Sequence, residues 1–240
     1  MNKNLINILK TFYKGILAGS AIGLGGTFYL LCSTYIPQND YITSSFIGSL
    51  IFPVGLIIIC FCGLNLYTGK IGVAFNKDTK TSDLNVYFWL FIILLGNFIG
   101  ATLVGLILHF CIFNFPNSSI YITANAVSNI RVMEFNFTQI FNMCWKSFVC
   151  GILVYLAVLF FKLGRNSFEK VLGIIVPIAF FVISGMQHCI ANMFYLTVTF
   201  SWNLNSTIGL FICILFNSLG ALAFNFITES LNKKKAEKIK

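Results

Sequence analysis

Charge is what this chain has least of. Asp and Glu together number seven in 240 residues, and only 10% of the chain is charged. A soluble domain carries about 25% charged residues, so the composition excludes one. Short segments of alternating polarity are also missing, which excludes a membrane β-barrel. No cysteine pair has C-x-x-C spacing, and the two histidines, His109 and His188, form no ligand cluster with the eight cysteines. That argues against a disulfide framework or a metal site, and no cofactor is expected. The cysteines all sit in apolar runs and read as small reduced core residues. What is present is apolar: 58% hydrophobic residues and a mean hydropathy of +0.86, in runs long enough to cross a bilayer as helices. The class is an all-α, multi-pass membrane protein.

Six spans are expected, at roughly Phe12–Tyr35, Ser44–Val73, Val86–Phe113, Phe137–Phe161, Val171–Phe200 and Thr207–Ile227. The first run has the length of a full span rather than the short core of a cleaved signal. No carboxylate falls inside a span; Glu169 and Glu229 lie at the ends. This argues against a cation pathway or a carboxylate proton relay. Basic residues sort by side. Lys3, Lys10 and Lys14, then Lys77 and Lys80, then Lys162, Arg165 and Lys170, and the tail lysines from Lys233 to Lys240 share one face, whereas Arg131 is alone on the other. The positive-inside rule then puts both termini in the cytoplasm of a cell-membrane protein. The basic tail, 228–240, is read as topological rather than as a nucleic-acid site. Tyr87, Trp89, Trp145 and Trp202 fall near span ends, as interfacial aromatics do.

The stretch 184–195 holds Gly185, Gln187, His188 and Asn192 in the middle of the fifth span. Ionisable and helix-breaking groups at that depth mark a functional site by default; a packing histidine is the alternative. The second span is interrupted too, by Pro53, Gly63, Asn65, Thr68 and Gly69. Either it continues as irregular backbone against protein or a water-filled cavity, or it ends near Cys62 and a cytoplasmic loop follows. The first span carries Gly15, Gly19 and Gly23, a close-packing face. The outer segment from Asn114 to Asn136 is polar enough for a loop, with room for a short helix.

The halves echo each other. Asn97, Gly100 and Ala101 match Asn217, Gly220 and Ala221; Lys14 and Gly19 match Lys146 and Gly151; Pro53 and Gly63 match Pro177 and Gly185. With three spans per half, the second repeat (about 137–227) is inverted relative to the first (about 12–113), within a single transmembrane domain over 1–240. Interrupted segments at corresponding places in such a repeat point to a midplane transport site.

Three motifs carry a family resemblance: Gly185-x-x-His188-Cys-Ile-Ala-Asn192-Met-Phe194, Leu66-Tyr67-Thr68-Gly69, and Trp145-Lys146 followed by 153–158. On these the chain resembles the formate/nitrite transporter family. The resemblance implies an aquaporin-like fold of six helices with the second and fifth broken. It further implies a homopentamer in the lipid bilayer, with one pore per protomer for small monovalent anions such as formate, nitrite or hydrosulfide. It makes His188 the pore-centre histidine, with Thr68 facing it and Asn192 one turn on, and Lys146 the cation that attracts the anion. Phe52, Leu56, Leu66, Tyr67 and Phe181 fall at its apolar constrictions. Asn65 and Gln187 stand where members often have glutamate, and Gly151 where asparagine is common, which leaves the transported anion open.

The residues supply a physical logic for this. An anion at the bilayer centre is disfavoured and its conjugate acid much less so. A positive field, a proton source and narrow apolar rings together exploit that difference. Lys146 and a broken helix start supply the field. His188 is expected to be mostly neutral and bonded to Thr68, either relaying a proton or orienting substrate. Lys146 could instead snorkel to the outer interface, while Lys70 and His109 read as interfacial. Two other readings stand beside this one. A neutral-solute pore lacks the twin Asn-Pro-Ala motifs of an aquaporin. A membrane enzyme lacks any nucleophile–base set.

Overall fold

The computed structural model describes residues 3–35, 41–75, 85–112 and 118–237. Lys77, Lys80, Lys238 and Lys240, and the side chains of Lys3 and Lys233 to Lys235, lie outside the described residues. The described chain is helical, with no strands. In order it forms α1 (Lys3–Tyr35), α2 (Tyr41–Ile51), α3 (Val54–Phe61), α4 (Tyr67–Ile71) and α5 (Val86–Ile112). Then come α6 (Ser119–Asn129), α7 (Phe137–Leu163), α8 (Ser167–Ile183), α9 (Cys189–Val198) and α10 (Leu204–Glu237).

Among the described residues, five helical stretches are long and apolar enough to cross a membrane: Asn4–Tyr35, Ser44–Phe61 (α2 with α3), Val86–Cys111, Phe137–Leu163 and Leu204–Ser230. The expected fifth span is instead divided between α8, of 17 residues, and α9, of 10. Pro177 does not make that division. It lies inside α8, and the helix runs on to Ile183.

Local chemistry sets several helix starts. Asn166 accepts the Glu169 N–H at 2.9 Å and donates to the Glu169 carboxylate at 2.9 Å, a reciprocal cap for α8. Asn136 caps α7 by accepting the Gln139 N–H, and Ser118 caps α6 through Tyr121.

α1 packs on α5 and α7 on α10, both pairs at glycine-mediated closeness. A Cβ on Gly19 would lie 2.1 Å from the Asn97 carbonyl oxygen, and one on Gly151 would lie 2.1 Å from that of Asn217. Only backbone fits there. Between the pairs sits α9, every residue of which is buried. Most of its residues are apolar, as a helix packed on all sides requires, with Asn192, Tyr195 and Thr197 the exceptions. It touches α1, α5, α6 and α10.

Two positional expectations change. Trp89 is not an interfacial aromatic within the chain, for it is buried against Ile71, Ile93 and Tyr155. Of the cysteines, Cys150, Cys189 and Cys213 are buried, but Cys62 and Cys111 are exposed on the single chain, because each sits at the end of a helix.

Candidate functional site

Two helix breaks make the site, and they are built alike. At the first, Cys62, Gly63 and Leu64 donate backbone bonds to the carbonyls of Ile58, Cys60 and Ile59. At the second, Ser184, Gly185 and Met186 donate to Phe180, Val182 and Phe181, the same pattern 122 positions on. Gly63 and Gly185 have φ of +62° and +63°, a region that L residues with a Cβ avoid. Each break then runs extended into a new helix, capped by Leu66 before α4 and by His188 before α9.

One asparagine braces each break. Asn97 Oδ1 accepts the Tyr67 N–H at 2.7 Å, while its Nδ2 donates to the carbonyls of Gly15 and Asn65, both at 2.8 Å. Asn217 Oδ1 accepts the Cys189 N–H at 2.9 Å, while its Nδ2 donates to Ser147 at 2.7 Å and Gln187 at 2.9 Å. Both asparagines are fully buried. Each satisfies one orphan N–H of a helix start and one carbonyl of the extended segment, groups that cannot be left bare in an apolar interior.

The breaks meet at His188. Its Nε2 lies 2.9 Å from Thr68 Oγ1, and its Nδ1 accepts the Ala191 N–H at 3.3 Å as the cap of α9. With Nδ1 occupied as an acceptor, the neutral ring carries its proton on Nε2 and donates it to Thr68. Both side chains are buried, His188 at 2% exposure and Thr68 at 0%.

Two cavities adjoin these helix starts, the first lined by His188 and the second by Leu66 and Gly69 beside Thr68. One, of about 110 Å³, is lined by Phe52, Phe181, His188, Asn192, Tyr195 and Arg131, among others. That is several times the space one water needs. A second, of about 120 Å³, is lined by Leu56, Leu66, Cys60, Lys70 and Lys162, among others. Phe52 meets Phe181 edge-on with centroids 5.6 Å apart, and Phe181 lies 5.8 Å from the His188 ring. So four of the five expected constriction residues line these cavities. Tyr67 lines neither, and its hydroxyl bonds Ser218 Oγ at 2.9 Å. Asn65 is half-buried, held by its backbone between Asn97 and Lys14. Lys146 is half-buried and lines a third cavity with Gln139, Asn142 and Gln187. Gln187 borders that cavity and the first one.

Asn192 lines the first cavity with His188 and donates to Gln187 Oε1 at 2.8 Å. Its oxygen accepts from Arg131 Nε at 3.0 Å. In the sequence alone Arg131 reads only as a topological charge. The signal available was its isolation: it is the one cation on its face. What places it here is α6, which folds across α9 and α1.

Residues 1–231 match the family described as formate/nitrite transporter. Formate channel FocA of Escherichia coli (strain K12) is 31% identical over 198 residues, covering 78% of this chain and 65% of its own. Formate channel BtFdhC of Bacillus thuringiensis is 29% identical over 192 residues, covering 76% and 70%. The chain thus spans about 65% of the length of the first relatives it matches. Among solved structures, a pentameric formate channel with formate bound superposes with a TM-score of 0.74 at 24% identity, covering 96% of this chain and 97% of that one. At that identity the likeness concerns the fold. The chain belongs to the formate/nitrite transporter family.

Proposed function

We propose that the protein is a transmembrane channel or proton-coupled transporter for small monovalent anions. It passes the anion with a proton, or as the conjugate acid, through a pore in each protomer. One observation carries this: the buried His188–Thr68 hydrogen bond, which ties together two helix starts between two cavities. Relatives named as formate channels favour formate over nitrite or hydrosulfide. Counting α2 to α4 as the second span and α8 with α9 as the fifth gives six spans in an inverted 3+3 repeat. The paired asparagine braces support that count. Both termini then lie in the cytoplasm, and the assembly in the cell membrane is a homopentamer, as the name of the similar structure suggests.

In this mechanism Phe52 and Phe181 on one side, and Leu56 and Leu66 on the other, form dry necks around the centre. Tyr67 holds the first break against α10 through Ser218. Lys146 adds positive potential through the wall that Gln187 shares between cavities. An anion entering the first neck loses water, which raises its own proton affinity. His188 presents an Nε2–H donor to an oxygen of the passing substrate, and Thr68 receives that donor when no substrate is present. A proton placed on Nδ1 would break the α9 cap. His188 therefore orients and donates a hydrogen bond rather than shuttling protons through both nitrogens.

The test is formate flux into proteoliposomes. Wild type is expected to show saturable uptake, with His188→Asn lowering it at unchanged oligomer size. Equal flux from both would remove the histidine from the mechanism.

A further inference from the structure

Arg131 follows α6 and turns its side chain inward. Its Nε donates to Asn192 Oδ1 at 3.0 Å, its Nη1 donates to the Val127 carbonyl near the end of α6, and its guanidinium lies over the Tyr195 ring, 4.1 Å from the centroid. All three partners are neutral. Glu134, the carboxylate nearest in sequence, is held instead by Asn136 and Gln139. Among the described residues the charge thus has no carboxylate partner. Of the five N–H donors of a guanidinium, two are engaged within the protein. The residue lines the same cavity as His188.

A half-buried cation without a counter-charge, facing a cavity, is an arrangement that an anion completes. Resting on the anion-channel reading above, we propose that Arg131 is the docking site for the anion before it meets His188. The site takes planar anions with two oxygens, such as a small carboxylate or nitrite. A guanidinium presents parallel N–H donors that match two oxygens of one plane, giving a bidentate, charge-assisted pair. Hydrosulfide has one acceptor atom and gains only the charge. Asn192 and Tyr195 position the fork: the amide oxygen fixes Nε, and the ring supports the guanidinium face. Gln187 matters here as well. A carboxylate at that position, bonded to Asn192 like the present amide oxygen, would compete for Arg131, so its neutrality keeps the docking charge available.

The experiment compares half-saturating concentrations for formate and hydrosulfide in proteoliposomes, entering from the Arg131 face, for wild type, R131Q and R131K. R131Q is expected to raise the formate value about tenfold or more, the scale of one charged hydrogen bond. R131K is expected to keep hydrosulfide near wild type while formate weakens. Unchanged formate values in both variants, with wild type saturating normally, would overturn the docking site and leave the channel reading intact. No formate flux in wild type would overturn both. A second measurement works on wild type alone, in case a variant fails to assemble. Modification of Arg131 by phenylglyoxal, followed by mass spectrometry, should be slowed by formate at concentrations that saturate flux. No protection at those concentrations would count against docking at Arg131.

Discussion

His188 and Thr68 stand 120 positions apart and meet at 2.9 Å, the one capping and the other within the first turn of a helix that begins inside the protein. The histidine does two things with two nitrogens. One caps α9, and the other donates across the gap between the breaks. Substitutions can separate these roles. His188→Ala loses both, and removing a cap costs about 1 kcal/mol of stability. His188→Asn retains a good cap residue and loses the Nε2 donor. Both should impair formate flux and lower the thermal midpoint of the purified protein by the lost bond to Thr68, and the alanine variant should fall further by the lost cap. Equal midpoints for the two would mean that the cap is not what Nδ1 provides.

Thr68→Val should be worse for stability than its size suggests. It leaves the buried Nε2–H without an acceptor, at about 1 to 3 kcal/mol. Thr68→Ser keeps the hydroxyl and should restore both midpoint and flux. A valine variant as stable as wild type would show that the pairing is incidental.

The asparagine braces predict a matched pair of losses. Asn97→Ala and Asn217→Ala each strip a buried N–H and two carbonyls of their partners, at no less than about 2 kcal/mol. Thermal unfolding in detergent should show similar drops for the two. A large drop for one and none for the other would argue against equivalent breaks.

Much of this was legible in the chain, though unevenly. The echo of Asn97 and Asn217 was visible as a motif, yet its purpose was not, because bracing a helix start depends on where α1 and α7 pass. His188 and Thr68 were paired through family motifs, not periodicity. Lys146 stood out as a lysine in an apolar run, but its cavity is the one shared with Gln187, set apart from the histidine. Arg131 was hidden by its setting: a charge in a polar loop reads as topology until α6 folds over α9. Trp89 was misplaced for a related reason, since a span-end aromatic can face protein as readily as an interface.

The glycines should divide into two kinds. Gly19→Ala and Gly151→Ala place a Cβ 2.1 Å from a backbone oxygen of the facing helix. The helices must move apart, so assembly should fail or the midpoint fall steeply. Gly63→Ala and Gly185→Ala meet nothing within 4 Å and carry only the strain of positive φ, about 1 to 2 kcal/mol. Size-exclusion profiles of the four variants check the ranking, and equal behaviour would contradict it.

Cys60 lines the second cavity beside Lys70 and Lys162. A small thiol reagent reaching that cavity should block flux, and Cys60→Ser in a Cys62→Ser background should be immune. Undiminished flux after complete labelling of Cys60 would place the conduction path elsewhere.

The most direct measurement is uptake of formate, hydrosulfide and water by proteoliposomes across roughly pH 5 to 8, over which falling pH supplies more protons to travel with the anion. The mechanism predicts saturable formate flux that rises as pH falls, with water flux small beside it. Strong water flux without any formate flux would contradict it.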